Sequence, residues 1–365
     1  MRRLRMILFV GALVAGCSDP KEDEAARRES YLSLERFETT GEPSLTDLPP
    51  IRPASEIPRT DVLPHMGGEI TRGRNYVFCA TAKLAWDAFG VQKGQAPTDL
   101  AQAMSRLEFS GDDLNPSCYL TMKGSRAQVA ARMNEKFPGV EIELAADDPS
   151  AMISYAYLQK QLPFREKFDR LESPLEFHGD EGATPVAAFG VEKFHEEGVR
   201  ETLHRWQITV LDYKNKDDFV VELNTLSKQD RMILAKVPPE STLEMTAVRV
   251  ASRVSSGYQL GSEKSLLQEQ EDFVVPIISL GVLKTFGELG ATALAQVIQF
   301  RLDESGAKLR SESDYSYLGE DGRPREFVFD KPFLIYLVER QSEHPYLAMW
   351  IANEELLETA DDSAE

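Results

Sequence analysis

The chain has 365 residues, 42% of them hydrophobic, and 41 lysines and arginines against 60 aspartates and glutamates leave a net charge of −19. This composition is globular rather than disordered or collagenous. Its negative charge, with no basic patch to offset it, repels phosphate and excludes nucleic acid as a partner.

The first sixteen residues divide into three parts. Arg2, Arg3 and Arg5 make a basic start, Met6 to Val14 is apolar, and Leu13-Val14-Ala15-Gly16 leads to Cys17. A basic start, a short apolar run and small residues at the cut mark a secretory signal. The run is far short of the ~20 residues needed to span a bilayer. Leu-Val-Ala-Gly-Cys resembles the lipobox of bacterial lipoproteins, in which the cysteine sulfur is acylated and becomes the new N-terminus. Several acyl chains hold stably where one holds marginally, at about 0.8 kcal/mol per buried methylene. Ser18 after the cysteine, rather than aspartate, resembles export to the outer membrane. The expected location is the cell envelope, with the membrane reached through lipid at Cys17. Cutting after residue 16 removes three arginines and no acid, so −19 becomes −22.

Residues 17–70 read as a tether, broken by Pro20, Pro43, Pro49, Pro50, Pro53, Pro58 and Pro64, with one loosely helical piece from Ala25 to Phe37. Residues 71–353 form the folded domain, about 280 residues of apolar periodicity. Residues 354–365 are an acidic tail. Within the domain, Asn75–Phe78 is strand-like, and Thr81–Phe89 carries Leu84, Ala85 and Phe89 on one helical face. Thr98 caps a helix over Asp99–Leu107. Cys118–Met122 is a strand, Ser125–Lys136 a helix, and Gly139–Leu144 a half-buried strand. Ala151–Leu158 is a central strand. Trp206–Tyr213 and Asp218–Leu223 form a hairpin. Thr242–Ser252 fits a helix or an irregular strand. Phe273–Leu280 is a β-rich run in which Pro276 suggests an edge or a bulge. Leu283–Leu289 reads as a short helix ending at Gly290, and Gln296–Leu302, Phe333–Val338 and Leu347–Ala352 as strands. Runs of helix and strand without βαβ alternation make the fold class α+β.

The five histidines are His65, His178, His195, His204 and His344. None stands in HExxH or at zinc spacing from a cysteine, and GxSxG, P-loop and GxGxxG motifs are absent. His195 with Glu196 and Glu197 reads as part of a charged turn. The chain is therefore read as neither an enzyme nor a metal or cofactor protein. Cys79 and Cys118 lie in apolar settings and read as two buried free thiols in preference to a disulfide.

Toward the C-terminus, Leu302-Asp303-Glu304-Ser305-Gly306-Ala307 ends an alternating strand. A polar segment follows, then Phe329-Asp330-Lys331-Pro332-Phe333-Leu334-Ile335-Tyr336 and Leu347-Ala348-Met349-Trp350-Ile351-Ala352-Asn353. This order resembles the serpin family. There a main-sheet strand ends in a Glu-Glu-Gly-Thr hinge, an exposed reactive loop follows, and the chain returns through a Phe-x-x-Pro-Phe strand. The resemblance extends upstream through Asn75 to Ala82, Cys118 to Leu144, Ala151 to Leu158, Glu176 to Phe194 and Phe273 to Gly290, and so covers residues 75–353 in order.

The resemblance implies a serpin-like α+β fold and a loop around 307–325 that, once cut by a protease, inserts into the main sheet. It assigns Glu304, Ser305, Gly306 and Ala307 to the hinge. It puts Ser154 and Gln296 where an asparagine and a histidine hydrogen-bond at the sheet's opening point. Counting from Glu304 sets the scissile bond at Glu320-Asp321, with Arg323 and Arg325 as trypsin-type sites in a shifted register. The partner implied is a protease or another envelope protein. Four features depart from the family. Only Ala145–Ser150 separates two main-sheet strands, so the helix over that sheet face is missing. Leu162 stands near a family tryptophan, Met349 replaces a glycine, and charged residues replace an alanine-rich hinge run. Ala307, Leu309, Ser311 and Ser313 would still share one strand face, with Lys308, Arg310, Glu312 and Asp314 on the other. The alternative implied function is a non-inhibitory binding or structural module.

Overall fold

A computed structural model describes residues 47–90, 98–139, 152–192, 204–257, 265–268, 270–289, 292–306 and 324–360. In chain order the elements are β1 (Arg52–Pro53), β2 (Thr60–Leu63), β3 (Asn75–Cys79), α1 (Thr81–Phe89), α2 (Thr98–Arg106), β4 (Tyr119–Ser125), α3 (Arg126–Lys136) and β5 (Met152–Leu158). Then come β6 (Asp169–Arg170), β7 (Leu175–Gly179), β8 (Gly182–Val186), β9 (Ala188–Val191), β10 (Ile208–Asn215), β11 (Asp218–Leu223), β12 (Asp230–Lys236) and α4 (Leu243–Gly257). The last are β13 (Asp272–Pro276), β14 (Ile278–Leu289), β15 (Thr292–Leu302), β16 (Glu326–Val328), β17 (Phe333–Glu339) and β18 (Leu347–Ile351). Mixed sheets with few helices make the fold α+β.

The widest sheet runs β10-β11-β12-β17-β18-β3-β2. Every residue of β17 and β18 is buried. Strands covered on both faces read as unbroken apolar runs rather than as alternation, which is how these two appear in the sequence. The segment 242–252 resolves as helix. Leu243, Ala247, Val250 and Val254 of α4 recur at helical spacing and are buried, against β10, β11, β17 and β18. Phe219 of β11 meets Phe327 and Phe329 edge-on, at 5.3 and 5.0 Å between centroids, and Phe329 meets Phe273 and Phe333 at 6.2 and 5.1 Å. This cluster joins the wide sheet to the four-stranded sheet β16-β13-β9-β6. Pro276 is the last residue of β13, which lies between β16 and β9 and is not an edge strand.

A third sheet, β1-β14-β15, overturns two readings of the sequence. Leu283–Leu289 is not a helix: β14 pairs with β15 from Ile278↔Leu302 to Leu289↔Thr292. Leu283, Phe286 and Leu289 imitate a helical face by their spacing of three, but an eleven-residue partner strand overrides that local preference. The folded domain also begins before residue 71. β1 lies parallel to β14, and β2 parallel to β3. Gln299 donates to the carbonyl of Pro49 at 2.7 Å. A Cβ at Gly281 would stand 2.1 Å from the carbonyl oxygen of Pro50, so only glycine admits this approach. At the other end, residues 354–360 are not a free tail. Leu357 bridges Ile278, and Thr359 bridges Val186.

Ser125 caps α3, and its hydroxyl and the Gln128 side chain form the reciprocal capping box. Val129 and Met133 of this helix, with Phe137, pack on Leu120, Met122, Ile153, Tyr155 and Tyr157 of the β4–β5 pair. That sheet face is therefore covered by α3. Burial and neighbouring Tyr157 push the Tyr155 hydroxyl up to about 12. Cys79 is buried and Cys118 half-buried, and both are free thiols. Burial raises the pKa of each, which keeps them as inert thiols.

Candidate functional site

β5 and β15 carry the two residues of the sequence-predicted opening point. β5 pairs with β4 and β15 with β14; among the described residues the other edge of each has no ladder. Both strands rest on α1. The Ser154 hydroxyl donates to the carbonyl of Ala85 at 2.5 Å. The Gln296 amide nitrogen donates to the carbonyl of Cys79 at 2.8 Å and to the Thr81 hydroxyl at 2.7 Å. The pair therefore does not bond to itself, as a hydroxyl and an amide at that position are able to do. Each side chain pins its strand to α1, at positions one helical turn, ~6 Å, apart. The carbonyl of Cys79 is an acceptor only, which fixes the Gln296 amide with nitrogen toward it. Its other atom, Oε1, is then buried without a hydrogen-bond partner. An orphan acceptor of this kind costs about 1–3 kcal/mol.

From α1 both strands run to a common end. Beyond β5, Pro163 forms an antiparallel bridge with Gly306, which lies beyond β15. Phe164 donates its backbone N–H to Ser305 O at 3.0 Å, and Phe168 to Glu304 O at 2.9 Å. β5 and β15 thus run in the same direction, on one helix at their starts and clasped at their ends.

The predicted hinge is that clasp. The resemblance assigns Glu304–Gly306 to a hinge between strand and loop; all three are buried. Asp303 N–H donates to Gly306 O at 3.2 Å and Gly306 N–H to Asp303 O at 3.1 Å, the reciprocal pair that closes a two-residue turn. One Asp303 carboxylate oxygen accepts from the Ser305 N–H at 2.9 Å and from its hydroxyl. The other accepts from Arg301 Nε at 2.7 Å. Gly306 has φ +126°, and a Cβ there would stand 2.6 Å from both Leu162 O and Pro163 Cα. Backbone conformation and space both demand glycine. The Lys167 ammonium lies 3.0 Å from Glu304 Oε1, while Glu304 Oε2 is buried without a hydrogen-bond partner. Leu162 is buried against this turn. Cys17, Ala307, Glu320 and Asp321 lie outside the described residues, as do His195 and the charged turn around it.

The chain returns at Arg325, whose guanidinium reaches both carboxylate oxygens of Glu271, at 2.6 and 2.9 Å, and Leu266 O at 3.0 Å. This residue, a trypsin-type site in the shifted register, is thus held rather than offered. β16 then pairs in parallel with β13, and Lys236 donates to Val328 O at 2.9 Å. Both flanks of residues 307–323 are anchored.

One charge cluster escapes sequence reasoning. Lys160, just past β5, meets Asp230 at 2.8 Å and the Glu339 carboxylate, with side chains 10%, 4% and 11% exposed. Tyr346 donates to Asp230 at 3.0 Å. Burial opposes the Lys160 charge, but the two carboxylates outweigh it and its pKa is raised. The cluster fastens the end of β5 to β12 and β17. Its members are spread over residues 160–346, and no local signal marks them.

No family model matches the chain, and no curated protein matches it. Among similar solved structures is human thyroxine-binding globulin complexed with thyroxine, at 11% identity and TM-score 0.43, covering 78% of this chain and 93% of that one. Human glycosylated kallistatin is similar at 11% identity and TM-score 0.44, covering 78% and 92%. Serpin48, a highly specific serpin of the insect Tenebrio molitor, is similar at 12% identity and TM-score 0.38, covering 76% and 92%.

Proposed function

We propose that this chain is a serpin-like inhibitor held on the bacterial envelope by lipid at Cys17, trapping a protease through a loop over residues 307–325. The observation that carries the reading is the frame made by β5 and β15. Two strands of common direction share one helix beneath them and a clasp at one end, and the loop leaves from that clasp. A strand returning from Gly306 would run antiparallel to both and find a hydrogen-bonding edge on either side. Gln296 Oε1, buried and without a partner, is an acceptor that such a strand can satisfy. The order of the motifs along the sequence supports the same reading.

The test uses the full chain and a glutamate-specific endoprotease. Cleavage near Glu320-Asp321 is expected to give a protease complex that survives boiling in detergent, or a cut protein whose melting temperature rises by tens of degrees. Cleavage with neither result sinks the inhibitor. A second reading, a non-inhibitory serpin-like module that binds an envelope partner, is favoured by the closed hinge, since insertion must first open a buried turn. It predicts a partner whose binding survives deletion of residues 311–325.

A further inference from the structure

The C-terminal segment lies directly against the hinge. Glu358 is fixed through its backbone: its N–H donates to Ile277 O at 2.9 Å, and its carbonyl accepts from Ala187 N–H at 2.9 Å. Leu357 and Thr359 bridge Ile278 and Val186 on either side of it. The Glu358 carboxylate is thereby presented to two arginines from different sheets. One oxygen takes Arg170 of β6, and the other takes Arg301 of β15 at 2.9 Å. Arg301 Nε donates to Asp303 at 2.7 Å, and Asp303 accepts from both donors of Ser305, its N–H and its hydroxyl. The side chains of Glu358, Arg301 and Asp303 are 13%, 16% and 1% exposed. At that depth charge-assisted hydrogen bonds are weakly screened and are about twice as strong as neutral ones.

We infer that Glu358 is the latch of the hinge. Through the relay Glu358–Arg301–Asp303–Ser305, the C-terminal segment holds the turn Asp303–Gly306 shut, and the turn opens only when Arg301 is released from one of its two carboxylates. The relay is directional. Glu358 orients Arg301 from behind the strand, and Arg301 in turn fixes the rotamer in which Asp303 reaches Ser305. Glu358 is thus a positioning residue that acts on the turn through Arg301. As a device for controlling insertion the latch rests on the inhibitor reading; as a restraint on the turn it does not.

Amide hydrogen exchange on the full chain tests it. Ser305 N–H and Gly306 N–H are both bonded within the turn and report its opening. Glu358→Gln keeps the backbone pairing and removes the charge, and is expected to speed exchange at these two amides about tenfold. The amides of β17 and β18 should keep their protection, which separates release of the latch from general loosening. Arg301→Gln, which leaves Glu358 in place, is the second variant if the first fails to fold, with the same expected rise. Unchanged exchange at Ser305 and Gly306 in the folded variant overturns the latch. Faster exchange together with faster insertion after loop cleavage supports both latch and inhibitor. Faster exchange with no insertion in parent or variant keeps the latch and removes the inhibitor.

Discussion

The wide sheet and the clasp around Gly306 are both buried, but they are held by different forces. β17 and β18 are closed on both faces by apolar side chains and by the ring contacts of Phe219, Phe327, Phe329 and Phe333. Close-packed apolar side chains leave few voids, so such a region deforms little. The clasp is made of Asp303, Glu304, Ser305, Arg301 and Glu358, joined by hydrogen bonds and ion pairs, with one carboxylate oxygen left without a partner. Polar contacts are directional, and their loss is compensated when water reaches them. One region is a rigid support. The other is a fastening that a competing set of hydrogen bonds can replace.

The comparison breaks most visibly on its apolar side. Phe219→Ala removes the ring that touches Tyr213, Phe327 and Phe329 at once. The cavity it leaves is expected to cost about 3–5 kcal/mol of unfolding free energy. Denaturant titration should show one cooperative transition at a lower midpoint, with the hinge amides no more exposed than the rest. A loss below about 1 kcal/mol would mean that the cluster is not the support described.

A smaller and more local effect is expected at the clasp. Gly306→Ala imposes a side chain on φ +126° and drives it against Leu162 O and Pro163 Cα. The strain is about 1–3 kcal/mol. Opening the turn relieves it, so exchange at Ser305 should accelerate far more than global stability falls. Equal losses in both measurements would show that the clasp and the wide sheet unfold as one unit.

How much of this was legible in the sequence follows the same division. β3, β17 and β18 are apolar runs, and α1 and α3 carry helical periodicity, because burial leaves a local signature in each. Resemblance to serpins picks out Gly306 and the residues around it, but not the closed turn that they form. The turn depends on Leu162, Pro163, Phe164 and Phe168, about 140 residues earlier, and contacts at that separation leave no period to read. Arg52–Pro53 reads as tether because prolines discourage a strand. A two-residue parallel edge survives them when Gln299 and Gly281 supply the contact. Asn75 joins Asn353 at 2.8 Å and Thr60 at 3.1 Å, a polar knot across the wide sheet that only the folded chain assembles.

The smallest effect is expected where the frame of β5 and β15 is incomplete. Gln296→Met takes two donated hydrogen bonds from Cys79 O and Thr81 Oγ1, and with them the orphan oxygen whose burial cost about 1–3 kcal/mol. The two changes have opposite sign and similar size, and methionine fills the same volume with a flexible chain. Unfolding free energy should therefore move by less than about 1 kcal/mol. Ser154→Ala, which deletes a hydroxyl already satisfied at 2.5 Å, should cost as much or more. The order of these two variants is informative. If Gln296→Met proved the more damaging by 2 kcal/mol or more, Oε1 would have to be satisfied in solution. The frame would then offer no unpaired side-chain acceptor to an incoming strand.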